Sequence, residues 1–451
     1  MDMHRYSQDT ERLAQRVMQI ALDRLRMDAP LDGPSTPEQL QQRAGQTITP
    51  KGIGGDRALR VWTDVLAPAA MSVDHPRYLA FIPGAPTEAS TLFDLVVGAS
   101  AMYGGNWLES SGAVYAENQA LRWIADLAGM PAGAGGCFVQ GGTVGNLSAL
   151  VAARHAARER IGSAPARWRA AVTAETHSSV VYALRNVMDV EPLLVPADER
   201  GRMTGEALRT ALDADGTDGI FAVVATAGTT NLGIVDDLAG IADVCEEHGI
   251  WMHVDGAYGA AALAAPSVRH LFDGIERADS FIVDPHKWLF APFDCCALIY
   301  REPELARQAH TQHAGYLDPV TQRSEWNPSD YAVHLSRRAR GLPFWFSLAV
   351  HGTDSYRDAI ESTLAVARAG AEEIRSRPYL ELLVEPDLSV LIFRRVGWGA
   401  EDYLEWTRQL LDQGYAFVTP TTHLGEPCTR FAVINPRTTV SDLAGILATM
   451  A

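Results

Sequence analysis

Between about residue 115 and residue 300 the chain alternates short, almost wholly apolar runs with helical stretches, and no other feature limits its fold so much. The runs are Ala171-Val-Thr-Ala, Leu193-Leu-Val, Ile220-Phe-Ala-Val-Val-Ala, Ile250-Trp-Met-His-Val, Ser280-Phe-Ile-Val and Cys296-Ala-Leu-Ile-Tyr. Gly205–Leu212, Leu238–His248 and Leu147–Arg160 read as helices around them. A strand that is apolar at every position has both faces covered, which is the signature of a mainly parallel α/β sheet flanked by helices.

The flanks differ from this middle. Residues 9–26 read as an amphipathic helix with Leu13, Val17, Ile20 and Ala21 on one face and Asp9 placed to cap it. Pro30 to about Gly55 reads as a linker or extended arm. After residue 345 the pattern becomes α+β, with a helix over Glu361–Arg375, strands over Ser389–Arg394, Ala416–Thr419 and Thr429–Ile434, and a closing helix over Val440–Met450. Three segments are expected: an N-terminal arm over 1–75, a large α/β domain over 76–345 and a small α+β domain over 346–451.

Charge removes several function classes. The formal net charge is −17 over 451 residues, which opposes tracking of nucleic-acid phosphates. No run of about 18 uncharged apolar residues predicts a membrane span. The charged N-terminus lacks the apolar core of a signal peptide. Cys137, Cys245, Cys295, Cys296 and Cys428 show no CxxC spacing, so reduced thiols in a cytoplasmic protein are expected. His310 and His313 have HxxH spacing without a further ligand cluster, and no metal is assigned.

Of 38 basic residues only Lys51 and Lys287 are lysine, and the other 36 are arginine. Lys287 lies against Trp288, Leu289 and Phe290. Desolvation there is expected to lower its pKa and free a neutral amine for attack on an aldehyde, which a guanidinium cannot do. Asp255 ends an apolar strand, where a carboxylate could hold a proton on a heterocyclic nitrogen or simply cap the next helix. Gln140-Gly-Gly-Thr-Val-Gly-Asn precedes a helix and suits either a single phosphate or a plain tight turn. It has neither the GxGxxG of a dinucleotide loop nor a terminal GK[ST]. His177 follows another apolar run and could lie over an aromatic ring. In combination, these are the parts of a pyridoxal phosphate site.

With those residues in view, the sequence resembles the group II pyridoxal-phosphate decarboxylases from about His75 to the C-terminus. Asp284-Pro-His-Lys-Trp is the most specific match, with Gly141-Gly-Thr-Val-Gly-Asn, His177-Ser-Ser-Val, Ala225-Thr-Ala-Gly-Thr-Thr and His253-Val-Asp-Gly-Ala-Tyr beside it. The resemblance implies a fold-type I enzyme with a seven-stranded sheet, working as a homodimer with its active sites at the interface. It also implies pyridoxal 5'-phosphate as cofactor and decarboxylation of an L-amino acid with an aromatic or bulky side chain.

Carried onto this chain, Lys287 would form the internal aldimine, Asp255 would pair with the ring nitrogen and His177 would stack on the ring. Ala257 and Thr226 would line the ring, and Gly142, Thr143, Asp284 and His286 would lie near the phosphate. Tyr316 or His177 would help return the proton after CO₂ leaves, and Phe81, Ile82, Pro83, Tyr103 and Trp107 would form the substrate pocket. Asp284 stands where relatives often have Asn, so its charge must be balanced by donors or stand back from the phosphate. The rival outcomes are an aldehyde synthase, another pyridoxal phosphate lyase or aminotransferase, and a non-catalytic homologue.

Overall fold

The computed structural model describes residues 3–315 and 325–451. Seven strands form the large sheet: β1 (Gly135–Val139), β2 (Arg169–Val172), β3 (Glu191–Leu194), β4 (Ile220–Thr226), β5 (Trp251–Asp255), β6 (Ser280–Val283) and β7 (Cys296–Tyr300). Their order is β1-β7-β6-β5-β4-β2-β3. The β3–β2, β2–β4, β4–β5 and β5–β6 pairs are parallel, and only β7 runs against its neighbours. Every residue of β4 and β5 is buried. Successive β4 side chains divide between two cores, Val223 and Ala225 on one face and Ala222 and Val224 on the other, as strand alternation requires.

The apolar runs expected as strands are in this sheet, but β1 has no such signal. Its Gly135-Gly136 start reads as a turn. A Cβ on Gly136 would lie 2.0 Å from the Leu298 carbonyl oxygen, and one on Gly135 would meet the Trp326 ring at 2.9 Å. Close approach of β7 and Trp326 is the reason for both glycines.

A helix over Leu342–Arg375 passes through residue 345 and breaks at Gly352, which has φ 74° and ψ 160°. Beyond it, β8 (Leu380–Val384), β9 (Val390–Arg395), β10 (Thr419–His423) and β11 (Glu426–Ala432) form an antiparallel sheet in the order β10-β11-β9-β8. Helices Ala400–Asp412 and Val440–Ala448 pack on it through Tyr403, Trp406, Leu443 and Leu447. β8 and the 400–412 helix are not among the elements expected from the sequence, and in place of the strand expected at 416–419 Phe417 makes only an isolated bridge with Tyr78 while the ladder starts at Thr419.

Two N-terminal expectations are corrected. The first helix spans Gln8–Arg26, and Ser7 caps it by accepting from the Thr10 N–H, which leaves Asp9 in the first turn. The stretch from 30 to 55 is not wholly an arm: Pro37–Ala44 is helical, started by a reciprocal capping box between Thr36 and Gln39. Among the described residues, no helix is long and apolar enough to cross a membrane.

Candidate active site

Parallel strands bring their carboxyl ends to one edge, where the chain must leave the sheet and a crevice opens. Thr226 ends β4, Asp255 ends β5, and Asp284 follows β6 directly. The turn after β1 starts the Gly142–Ile161 helix at the same edge. A cavity of about 300 Å³ lies there. Gly142, Thr143, His177, Thr226, Asp255, Ala257, Asp284, His286 and Lys287 all line it.

The Lys287 Nζ is 3.0 Å from the Asp284 Oδ2, and the Asp284 side chain is 1% exposed. Burial pulls the Lys287 ammonium towards neutrality, but the charge and hydrogen bond of Asp284 and the charge of Asp255 outweigh it, and its pKa is raised. This corrects the expectation of a lowered pKa. Trp288, Leu289 and Phe290 are buried as neighbours of that kind should be, yet a carboxylate in contact decides the sign. Burial alone would raise the Asp284 carboxyl; the Lys287 and His286 charges, with hydrogen bonds from Cys296 and Lys287, hold it below the usual range. The His286 Nε2 is 3.6 Å from the same carboxylate oxygen. Burial dominates there and lowers the imidazole pKa despite that charge.

The Asp255 carboxylate accepts from two directions. Its Oδ1 takes the Ala257 N–H at 3.1 Å, and its Oδ2 takes the Asn146 Nδ2–H at 2.9 Å. His177 is exposed to the cavity and starts the Ser178–Tyr182 helix, with Nδ1 2.8 Å from the Ser179 Oγ. None of Phe81, Ile82, Pro83, Tyr103 and Trp107 lines this cavity. The Tyr103 hydroxyl donates to the Leu335 carbonyl at 2.7 Å, and Phe81 is 57% exposed. Tyr316 lies outside the described residues.

Among the described residues, three buried polar atoms of the cavity lining have no partner: the Gln140 Oε1, the Thr226 Oγ1 and the Asp284 Oδ1. Natural interiors leave few such atoms, so a polar ligand is expected to meet them. Among the described residues no side chain caps the Gly142–Ile161 helix; the Val144 N–H turns back to the Gly141 carbonyl, and the Gly142 and Thr143 N–H groups are left for an anion. A Cβ on Gly142 would lie 3.3 Å from the Ala257 Cβ and the Asp284 Oδ2. The lining therefore fits a phosphorylated heterocyclic aldehyde: anion donors at one end, a carboxylate for a ring nitrogen and a lysine for the aldehyde.

Two features were missed in the sequence. Asn146 and His253 stand behind Asp255, and the signal was period-2 placement of His253 and Asp255 on one strand face. Arg337 and Glu117 form a buried bidentate pair, at 2.8 and 3.0 Å, far apart in sequence and carrying no local signal.

Fold and site together define a fold-type I pyridoxal phosphate enzyme. The family model described as the pyridoxal-dependent decarboxylase conserved domain matches residues 37–396, and the chain belongs to that family. An aromatic-L-amino-acid decarboxylase from Bacillus atrophaeus is 31% identical over 388 residues, covering 83% of this chain and 80% of that protein. The crystal structure of Oryza sativa TDC with PLP and tryptamine superposes with a TM-score of 0.91 at 26% identity, covering 100% of this chain and 98% of that one. Rhodiola rosea 4-hydroxyphenylacetaldehyde synthase shares the fold, with a TM-score of 0.86 at 21% identity over 100% of this chain and 98% of that one. The cofactor is pyridoxal 5'-phosphate, and the protein is a carboxy-lyase.

Proposed function

We propose that this enzyme decarboxylates an aromatic L-amino acid to the amine and CO₂. The observation that carries the reading is the single cavity shared by Lys287, Asp255, His177 and the uncapped helix start. The relatives named aromatic-L-amino-acid decarboxylase support the substrate class. Bound there, the cofactor supplies an electron sink for the bond to the substrate carboxylate. Lys287 would hold the cofactor through its Nζ, Asp255 would keep a proton at the ring nitrogen, His177 would cover the ring, and the helix start with Thr143 would bind the phosphate. Asp284 and His286 would set the charge around Lys287, and Tyr316 would supply a proton to the substrate Cα.

The protein works as a homodimer in this reading. Leu92, Leu95 and Val96 are exposed on helix Glu88–Ala99, and Leu108 and Tyr115 on helix Trp107–Leu127. A second copy covers that surface and receives Phe81, Ile82, Pro83, Tyr103 and Trp107 at its substrate entrance. The test is a panel of L-amino acids, following CO₂, amine, aldehyde and peroxide. Equimolar CO₂ and amine from an aromatic substrate is the expected result. Aldehyde with peroxide and no amine would assign the oxidative outcome instead.

A further inference from the structure

Behind Asp255 runs a chain of buried hydrogen bonds that crosses from one strand to the next and then to a helix. The Trp251 Nε1 donates to the Ser280 Oγ at 2.8 Å. That hydroxyl is 2.8 Å from the His253 Nδ1. The His253 Nε2 is 2.8 Å from the Asn146 Oδ1, and the Asn146 Nδ2 donates to the Asp255 Oδ2 at 2.9 Å. His253 and Ser280 are fully buried, and Asn146 is 1% exposed.

Chemistry fixes the direction of every link. An ionised carboxylate only accepts, so the Asn146 amide must turn its NH₂ to Asp255 and its oxygen to His253. The His253 Nε2 must then carry the proton. Burial pushes the His253 imidazole down to about 3, against a hydrogen bond to Ser280, so the ring is neutral and its Nδ1 is an acceptor. The Ser280 oxygen is already taken by the indole N–H, and its own proton goes to Nδ1. The opposite tautomer would set an amide oxygen against the Asp255 oxygen at 2.9 Å. Side-chain alternation places Trp251, His253 and Asp255 on one face of β5, towards the helix that carries Asn146.

We propose that Asn146, His253, Ser280 and Trp251 form a one-way donor chain that fixes the plane of the Asp255 carboxylate for the cofactor's ring nitrogen. Asn146 and His253 are positioning residues for the reaction. The chain leaves Asp255 no freedom to turn: one oxygen is held by Asn146 and the other by the Ala257 N–H. Such a network is worth its cost only when every member is satisfied, as each of these is. The proposal rests on the reading that Asp255 meets the ring nitrogen, and the experiment separates the two.

The test uses holoenzyme reconstituted with ring-¹⁵N cofactor, alongside holoenzyme with ¹⁵N-labelled histidine. In the wild type, His253 keeps a proton on Nε2 and none on Nδ1 from pH 8 to pH 5, and the cofactor nitrogen shows the protonated shift. Asn146→Leu moves that shift towards the unprotonated value and lowers kcat by about 10- to 100-fold, as removal of a supporting partner commonly does, with KM changed less than about threefold. Ser280→Ala removes one hydroxyl far from the cavity, so it stays informative even where Asn146→Leu fails to fold. It leaves the His253 proton on Nε2, where Asn146 requires it, but removes the hydrogen bond that holds the imidazole ring in place, and lowers kcat by about threefold or more. A proton on the His253 Nδ1 in the wild type overturns the proposal, as does an unchanged cofactor shift with unchanged kcat in the two variants. If Asp255→Ala leaves the cofactor shift unmoved, the assignment of Asp255 itself fails, and the role of the chain with it.

Discussion

Asp284 and Lys287, three residues apart on the turn after β6, face each other at 3.0 Å with the carboxylate almost fully buried. The amine that attacks an aldehyde in the proposed function is thus held as an ammonium. The same carboxylate oxygen borders the Gly142 turn, where the phosphate belongs in the proposed site. One negative charge therefore opposes cofactor loading twice, by protonating the nucleophile and by repelling the anion.

Asp284→Asn removes both effects. With the Asp284 charge gone, burial acts on Lys287 with less opposition and its ammonium is weakened. Free pyridoxal phosphate is expected to load about tenfold faster at pH 7 in the variant, and the advantage shrinks as pH rises towards the lysine range. Stopped-flow absorbance of apoenzyme with cofactor measures this. An equal or slower rate in the variant contradicts it.

Arg337 and Glu117 form a fully buried pair, and Glu117 also accepts the Gly341 N–H at 2.8 Å. Glu117→Gln leaves a guanidinium with no counter-charge inside the large domain. A loss of about 3–5 kcal/mol of unfolding free energy is expected. The double variant Glu117→Met with Arg337→Leu removes the stranded charge and should recover part of that loss, which urea denaturation can resolve.

His334 is buried, with no hydrogen-bond partner at either ring nitrogen among the described residues. Burial, reinforced by the charges of Arg337 and Arg340, pushes its imidazole down to about 3 from 6.5. Between those values the unfolded chain binds the proton and the folded chain does not, so this group's contribution to stability falls as pH drops below 6.5. His334→Leu removes that dependence. The variant should gain about 2 kcal/mol relative to wild type on going from pH 8 to pH 5, read from denaturation midpoints at both values.

The central sheet was legible because β4, β5, β6 and β7 are buried on both faces and their residues are almost wholly apolar. β1 was not, because its glycines answer to the Leu298 carbonyl and the Trp326 ring, which are distant in sequence. At the site, residue types chosen for their chemistry stood out locally: an isolated lysine, a strand-end carboxylate and a glycine turn. The sign of the Lys287 shift did not, although Asp284 is only three residues away. A sequence shows that a carboxylate is near, but not that its oxygen points at the amine. Asn146, 109 residues before Asp255, could not be read at all without the register that sets the helix start against β5.

The central claim is that Lys287 carries the cofactor, and the chain's composition makes it open to direct test, since Lys51 is the only other lysine. Reconstituted holoenzyme is reduced with borohydride, digested and analysed by mass spectrometry for a phosphopyridoxyl-lysine. The account predicts close to one adduct per chain, on the peptide containing Lys287, and none after Lys287→Ala. An adduct confined to Lys51, or no adduct on a loaded protein, would contradict it.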